Sequence, residues 1–157
     1  MRVLLLGYGN PGRGDDGLGP ALVEALAPKF PQMAAVVAMQ LQPEHVLELA
    51  NCDLALLADA GTDIPSPFTF EHLSPRRDLS AFSHSLSPWA LLAVYQETLK
   101  APPPSTFLLT IAGARFDFGE SLSQRAQQNL EAALVFVEKL VRQPELERWK
   151  QACTSCP

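Results

Sequence analysis

Apolar residues fall along this chain as short runs alternating with helical stripes. Val3–Leu6 is too short a run for a helix and reads as a buried strand. Past a glycine-rich loop, Leu18, Leu22, Val23 and Leu26 share one helical face, and Pro28 and Pro31 close that helix. Val36–Leu41 predicts a second strand. Gln42-Pro43-Glu44 opens a helix to about Ala50, with Pro43 at a tolerated first-turn position. Asp53–Ala58 predicts a third strand, apolar throughout from Leu54 to Leu57, as in strands covered on both faces. Two successive β-α-β units predict a parallel sheet with right-handed crossovers.

A stretch containing Pro and Ser follows, residues 64–88, in which Phe68–His72 reads as a short edge strand. Ser83-His84-Ser85-Leu86-Ser87-Pro88 opens a helix with Leu91, Leu92, Tyr95 and Leu99 on its inner face, broken at Ala101–Pro104. Thr106–Ala112 predicts another strand and Gly113–Glu120 a loop. Ser121 or Ser123 caps the last helix, whose stripe is Leu130, Leu134, Val137 and Val141. The pattern predicts an α/β three-layer sandwich: a mostly parallel, twisted sheet of about five strands with helices on both faces. One domain spans 1–143. Residues 144–157 read as a polar C-terminal tail whose one core candidate is Trp149.

Composition narrows the class. The 157 residues are 47% hydrophobic and 18% charged, enough for one domain with a real core. A net charge of −5, with Arg76-Arg77 the one basic pair, argues against a nucleic-acid surface. No apolar run reaches bilayer-spanning length, and Arg2 with Val3–Leu6 is too short for a signal peptide. The three cysteines, Cys52, Cys153 and Cys156, are an odd number, and Cys52 lies beside an apolar strand as a packed residue. The expectation is a reduced, cytoplasmic protein, and a monomer because nothing marks a large exposed apolar stripe.

The loop Gly7-Tyr8-Gly9-Asn10-Pro11-Gly12-Arg13-Gly14-Asp15-Asp16-Gly17-Leu18-Gly19 is the chemical centre of the chain. It matches only part of the dinucleotide-binding pattern, and Asp15 and Asp16 would repel a pyrophosphate. Carboxylates on a pinned loop suit cation binding or acid/base work better. One of them is needed only to cap the following helix; that task is assigned to Asp15, and the chemistry to Asp16. Ligands of open parallel sheets sit at the carboxyl ends of the strands. Asp16 follows the first strand there, Asp59 ends the third, and His84 precedes a helix that must start near the same edge. Two oxygens and one imidazole suit a divalent first-row metal with open positions. His45 and His72 have no partner signal and read as structural. Cys153-Thr154-Ser155-Cys156 lacks a second cysteine pair or a βαβ context and reads as part of the tail. No serine-hydrolase elbow is present.

Together these residues resemble the maturation endopeptidases of nickel-iron hydrogenases. That family opens with a strand, G-x-G-N and D-[DE]-G-x-G, matched by Gly7-Tyr8-Gly9-Asn10 and Asp15-Asp16-Gly17-Leu18-Gly19. A strand ending in D-A follows, here Asp59-Ala60, then a histidine before a helix, here His84. Phe118-Gly119-Glu120-Ser121-Leu122-Ser123 is similar to its late loop. The resemblance covers the chain to about residue 142 and implies an α/β fold and a hydrolase. Its partner would be a nickel-loaded hydrogenase large-subunit precursor, from which it removes a short C-terminal extension. It also implies that Asp16, Asp59 and His84 are the catalytic and metal-contacting residues, with nickel supplied by the substrate. Residue 16 is Glu in some members and Asp here, one methylene shorter. Gln40–Glu44 and His84–Pro88 look like the branch serving cytoplasmic, NAD-linked hydrogenases. Alternatives from other classes are a nickel-dependent hydrogenase chaperone that does not cleave, and a nucleotide-dependent enzyme using the glycine loop. Without a metal, Asp16 and Asp59 would act as an aspartyl-type carboxyl pair, one protonated and one not.

Overall fold

The computed structural model describes residues 1–77 and 86–154. Within them the apolar runs become β1 (Val3–Tyr8), β2 (Ala34–Ala38), β3 (Leu54–Gly61), β4 (Phe68–His72) and β5 (Ser105–Ala112). The helices are α1 (Leu18–Leu26), α2 (Val46–Ala50), α3 (Pro88–Leu99), α4 (Gln124–Arg142) and α5 (Leu146–Gln151). The strands form one sheet in the order β2-β1-β3-β5-β4. All neighbours are parallel except β4, which runs antiparallel to β5 at the edge.

The two faces of the sheet carry separate cores, which makes the three layers. One joins Leu18, Leu22 and Leu26 of α1 to Val137 of α4, Trp149 of α5 and the inner residues Leu5, Leu56 and Phe107. The other joins Leu49 of α2 and Leu91 and Tyr95 of α3 to Leu4, Leu6 and Leu57. β1 and β3 are apolar on both faces because helices cover both. Each fully buried leucine of α1 contributes roughly 1.5–3 kcal/mol of transfer free energy.

α1 lies unusually close to the sheet at its first turn. A Cβ on Gly19 would sit 2.3 Å from the Ala58 carbonyl oxygen and 2.8 Å from that of Tyr8. A Cβ on Gly7 would sit 2.3 Å from the Gly19 carbonyl oxygen. The two glycines let backbone pack on backbone, which fixes the helix start against the ends of β1 and β3.

Several expected boundaries shift. β2 runs over Ala34–Ala38 rather than Val36–Leu41, and it is largely exposed. Its end is set where the Ala38 carbonyl accepts from Gly9 N–H at 3.0 Å; Met39 to Leu41 then turn away. The predicted helix from Gln42 begins as a 3-10 turn at Pro43–His45. There His45, structural as expected, accepts the Gln42 N–H through Nδ1 at 2.9 Å. His72 stacks on Phe107 with ring centroids 4.5 Å apart. Ser87 caps α3 and Ser123 caps α4, each accepting an N–H at 3.1 Å.

The polar tail expected from 144 needs correcting. Residues 146–151 form α5, and Trp149 is fully buried, donating its indole N–H to the Leu140 carbonyl at 3.0 Å. Thr154 then pairs with Phe70 of β4. A single large aromatic with a satisfied N–H anchors a short polar helix that periodicity cannot detect. Cys153, read as part of the tail, packs partly buried against the same core. Cys156 lies outside the described residues. Cys52 is buried as expected.

Candidate functional site

The glycine loop closes over its own carboxylate. Gly9 has φ +143°, and a Cβ there would lie 2.0 Å from the Asp16 carbonyl oxygen. This close fold lets Asn10 N–H donate to Asp16 Oδ2 at 2.7 Å. Asn10 Oδ1 in turn accepts the Gly12 N–H at 2.8 Å, and its carbonyl accepts Arg13 N–H at 3.0 Å. Asp16 is therefore held, half-buried, at the carboxyl end of β1.

Its neighbour faces the other way. Asp15 is fully buried and caps no helix of its own. Its carboxylate accepts from the N–H groups of Ala114, Arg115 and Ser123 and from the Ser123 hydroxyl, at 2.7 to 2.9 Å. Burial alone would raise this carboxyl. The donors from Ser123, Ala114 and Arg115 outweigh it and hold the group below the usual range. The division of labour predicted for the pair is thus modified: Asp15 clamps two loops instead of capping a helix.

The loop's other amides are also committed. Gly14 N–H donates to Glu120, Asp15 N–H to Arg115 and Asp16 N–H to Arg13. A phosphate cradle needs convergent free N–H groups, so this loop does not offer one.

Asp59 stands at the end of β3, beside Tyr8 at the end of β1. Asp59 Oδ1 accepts the Ala60 N–H at 2.7 Å. Burial pushes its carboxyl up to about 6; hydrogen bonds from Ala60 and the Tyr8 hydroxyl pull it down, and the Asp16 charge pushes it up. Tyr8 is correspondingly raised well above its usual value, first by burial and then by the Asp59 charge. Asp16 and Asp59 thus sense one another electrostatically across the same cleft.

That cleft has a volume of about 500 Å³. Tyr8, Asp16 and Asp59 line it together with Arg13; Met39 to Leu41 form one flank and Leu86 to Pro88 another. The structure brings together two of the three predicted site residues. His84, the third, lies outside the described residues, as do Ser83 and Ser85. Among the described residues no group of three His, Cys, Asp or Glu side chains is placed to hold a metal ion. The donors that are present, two carboxyl groups and a phenol, suit a hard or borderline divalent cation whose remaining ligands come from elsewhere.

Sequence reasoning missed Tyr8 and Arg13. Tyr8 sits in the same strand-end position as Asp59, and that placement was the available signal. A tyrosine there reads equally well as an ordinary strand residue.

No protein-family model matches the chain, and no curated protein matches it. Solved structures do. The hydrogenase maturating endopeptidase HybD from E. coli superposes with a TM-score of 0.71 at 22% identity, over 92% of this chain and 94% of that one. The NiFe hydrogenase maturation protease HycI from Thermococcus kodakarensis gives 0.69 at 20% identity, over 90% and 92%. HybD from Thermococcus kodakarensis gives 0.58 at 26% identity, over 89% and 99%. The chain has the fold of the NiFe hydrogenase maturation proteases.

Proposed function

We propose that this chain is a peptidase that removes the C-terminal extension of a nickel-loaded NiFe-hydrogenase large-subunit precursor. The observation that carries the reading is the convergence of Asp16 and Asp59 in one cleft, on a fold shared with maturation proteases. The raised carboxyl of Asp59 supports it, since a group near 6 exchanges protons readily at neutral pH.

In this reading Asp16 and Asp59 are the catalytic residues and contact the nickel carried by the precursor. His84 supplies the third donor; it lies only two positions before Leu86, which lines the cleft. The contact positions the scissile peptide. Water adds to its carbonyl carbon, the C–N bond breaks, and a proton passes to the leaving amine. Asp59, with its carboxyl raised to about 6, is suited to take the proton from water and return it to nitrogen. The Tyr8 hydroxyl holds Asp59 in place.

Incubation with nickel-loaded and nickel-free precursors, followed by intact mass measurement, tests this. Loss of a short C-terminal peptide from the loaded form only is the expected result. A loaded precursor that binds but keeps its mass would make the protein a nickel-dependent chaperone instead.

A further inference from the structure

We infer that the outer edge of β2 is a docking strand for the substrate, pairing with an extended peptide segment and leading it into the cleft. The inference rests on the peptidase reading above and names how that substrate is held.

Among the described residues β2 pairs with β1 alone and forms one border of the sheet. The Ala38 carbonyl faces β1, where it accepts the Gly9 N–H. In a parallel ladder a residue's N–H and C=O point to the same side, and the side alternates along the strand. Ala34 and Val36 therefore also face β1, while Ala35 and Val37 aim their backbone groups outward. Both are exposed, and Val37 is 45% exposed.

Sheet edges are commonly blunted by charges, prolines or bulges. Residues 34–39 read Ala-Ala-Val-Val-Ala-Met, with no charge and no proline. Among the described residues nothing pairs with this border, which can accept a further strand.

Continuity selects the occupant. The strand ends at Ala38, and the next three residues, Met39, Gln40 and Leu41, turn to form a wall of the cleft holding Asp16 and Asp59. A peptide laid along β2 thus ends beside a wall of the cleft that holds the two carboxylates. Strand addition gives affinity through main-chain hydrogen bonds and tolerates variation in side chains. The occupant is an extended stretch of the substrate next to the scissile bond, not a second copy of this chain.

Backbone amide exchange of the wild-type chain, read by NMR, tests this with and without nickel-loaded precursor. Exchange at Ala35 and Val37 should slow by about two- to tenfold when the precursor is added, the range that one hydrogen bond gained per amide supplies. Unchanged exchange overturns the inference. So does slowing in the chain alone as its concentration rises, which would mean self-pairing. The mass of the precursor judges the peptidase reading separately: slowed exchange without cleavage keeps the docking strand and removes the peptidase, and cleavage without slowed exchange does the reverse.

Val37→Pro adds a kinetic readout. It deletes one outward N–H at a position where proline is tolerated. KM should rise roughly tenfold with kcat little changed, and Val37→Thr should behave as wild type. A folded Val37→Pro protein with unchanged KM overturns the inference.

Discussion

Asp15 grips Ser123 twice across 108 positions of sequence, through its N–H at Oδ1 and its hydroxyl at Oδ2, both at 2.7 Å. Ser123 passes the contact on by capping α4 through Ala126 N–H. The loop that carries Asp16 is thereby locked to the start of the longest helix.

Replacing Asp15 with Ala should therefore cost about 3 kcal/mol or more, because buried donors lose their acceptor. Urea unfolding at pH 7 measures it. The sign with pH follows from the lowered carboxyl. Its contribution is full above the unfolded value of 3.8 and is lost as pH falls through the lower folded value. The gap between wild type and Asp15→Asn should be wide at neutral pH and should narrow as pH falls through the lowered folded value.

Asp59 behaves oppositely. Its folded value of about 6 lies above the ordinary 3.8, so the native state holds this proton more tightly than the unfolded chain. The associated stability is present below the unfolded value and is lost as pH rises through about 6. A carboxyl-carbon NMR titration should find Asp59 with a midpoint near 6. Asp16→Asn removes a repelling charge and should lower that midpoint. Tyr8→Phe removes a stabilising donor and should raise it.

Substitutions at Gly19 and Gly119 should differ in cost. Gly19→Ala drives a Cβ to 2.3 Å from the Ala58 carbonyl oxygen, backbone that cannot retreat, and should cost about 3 kcal/mol. Gly119→Ala meets open space but keeps φ +80°, so about 1 kcal/mol is expected. Thermal melts of both variants check the order.

Trp149→Ala should lower stability by about 3–5 kcal/mol, as loss of a fully buried aromatic does. Denaturant unfolding measures it. A near-neutral change would mean that α5 is the polar appendage the sequence suggests.

What the sequence disclosed follows from where its signals are local. Glycine and aspartate punctuate the strand ends, so the order of residues alone assigns Asp16 and Asp59 to one rim. The stripes of α1 and α4 and the apolar run of β3 were equally plain. β2 was misplaced because an exposed edge strand has little periodicity to read, and Met39 to Leu41 look as apolar as the strand itself. The partners of Asp15 were invisible because they lie in a loop far along the chain. α5 was missed because one tryptophan does the anchoring of an otherwise polar segment. Asp59's raised carboxyl was beyond reach too, since it arises from burial and from Tyr8 and Asp16 around it.

The most direct measurement is cleavage of nickel-loaded precursor by Asp16→Asn and Asp59→Asn, each first shown to be folded by cooperative denaturant unfolding. The account predicts that both leave the precursor at full mass under conditions where the wild-type chain releases the C-terminal peptide. Release at the wild-type rate by either variant would contradict it.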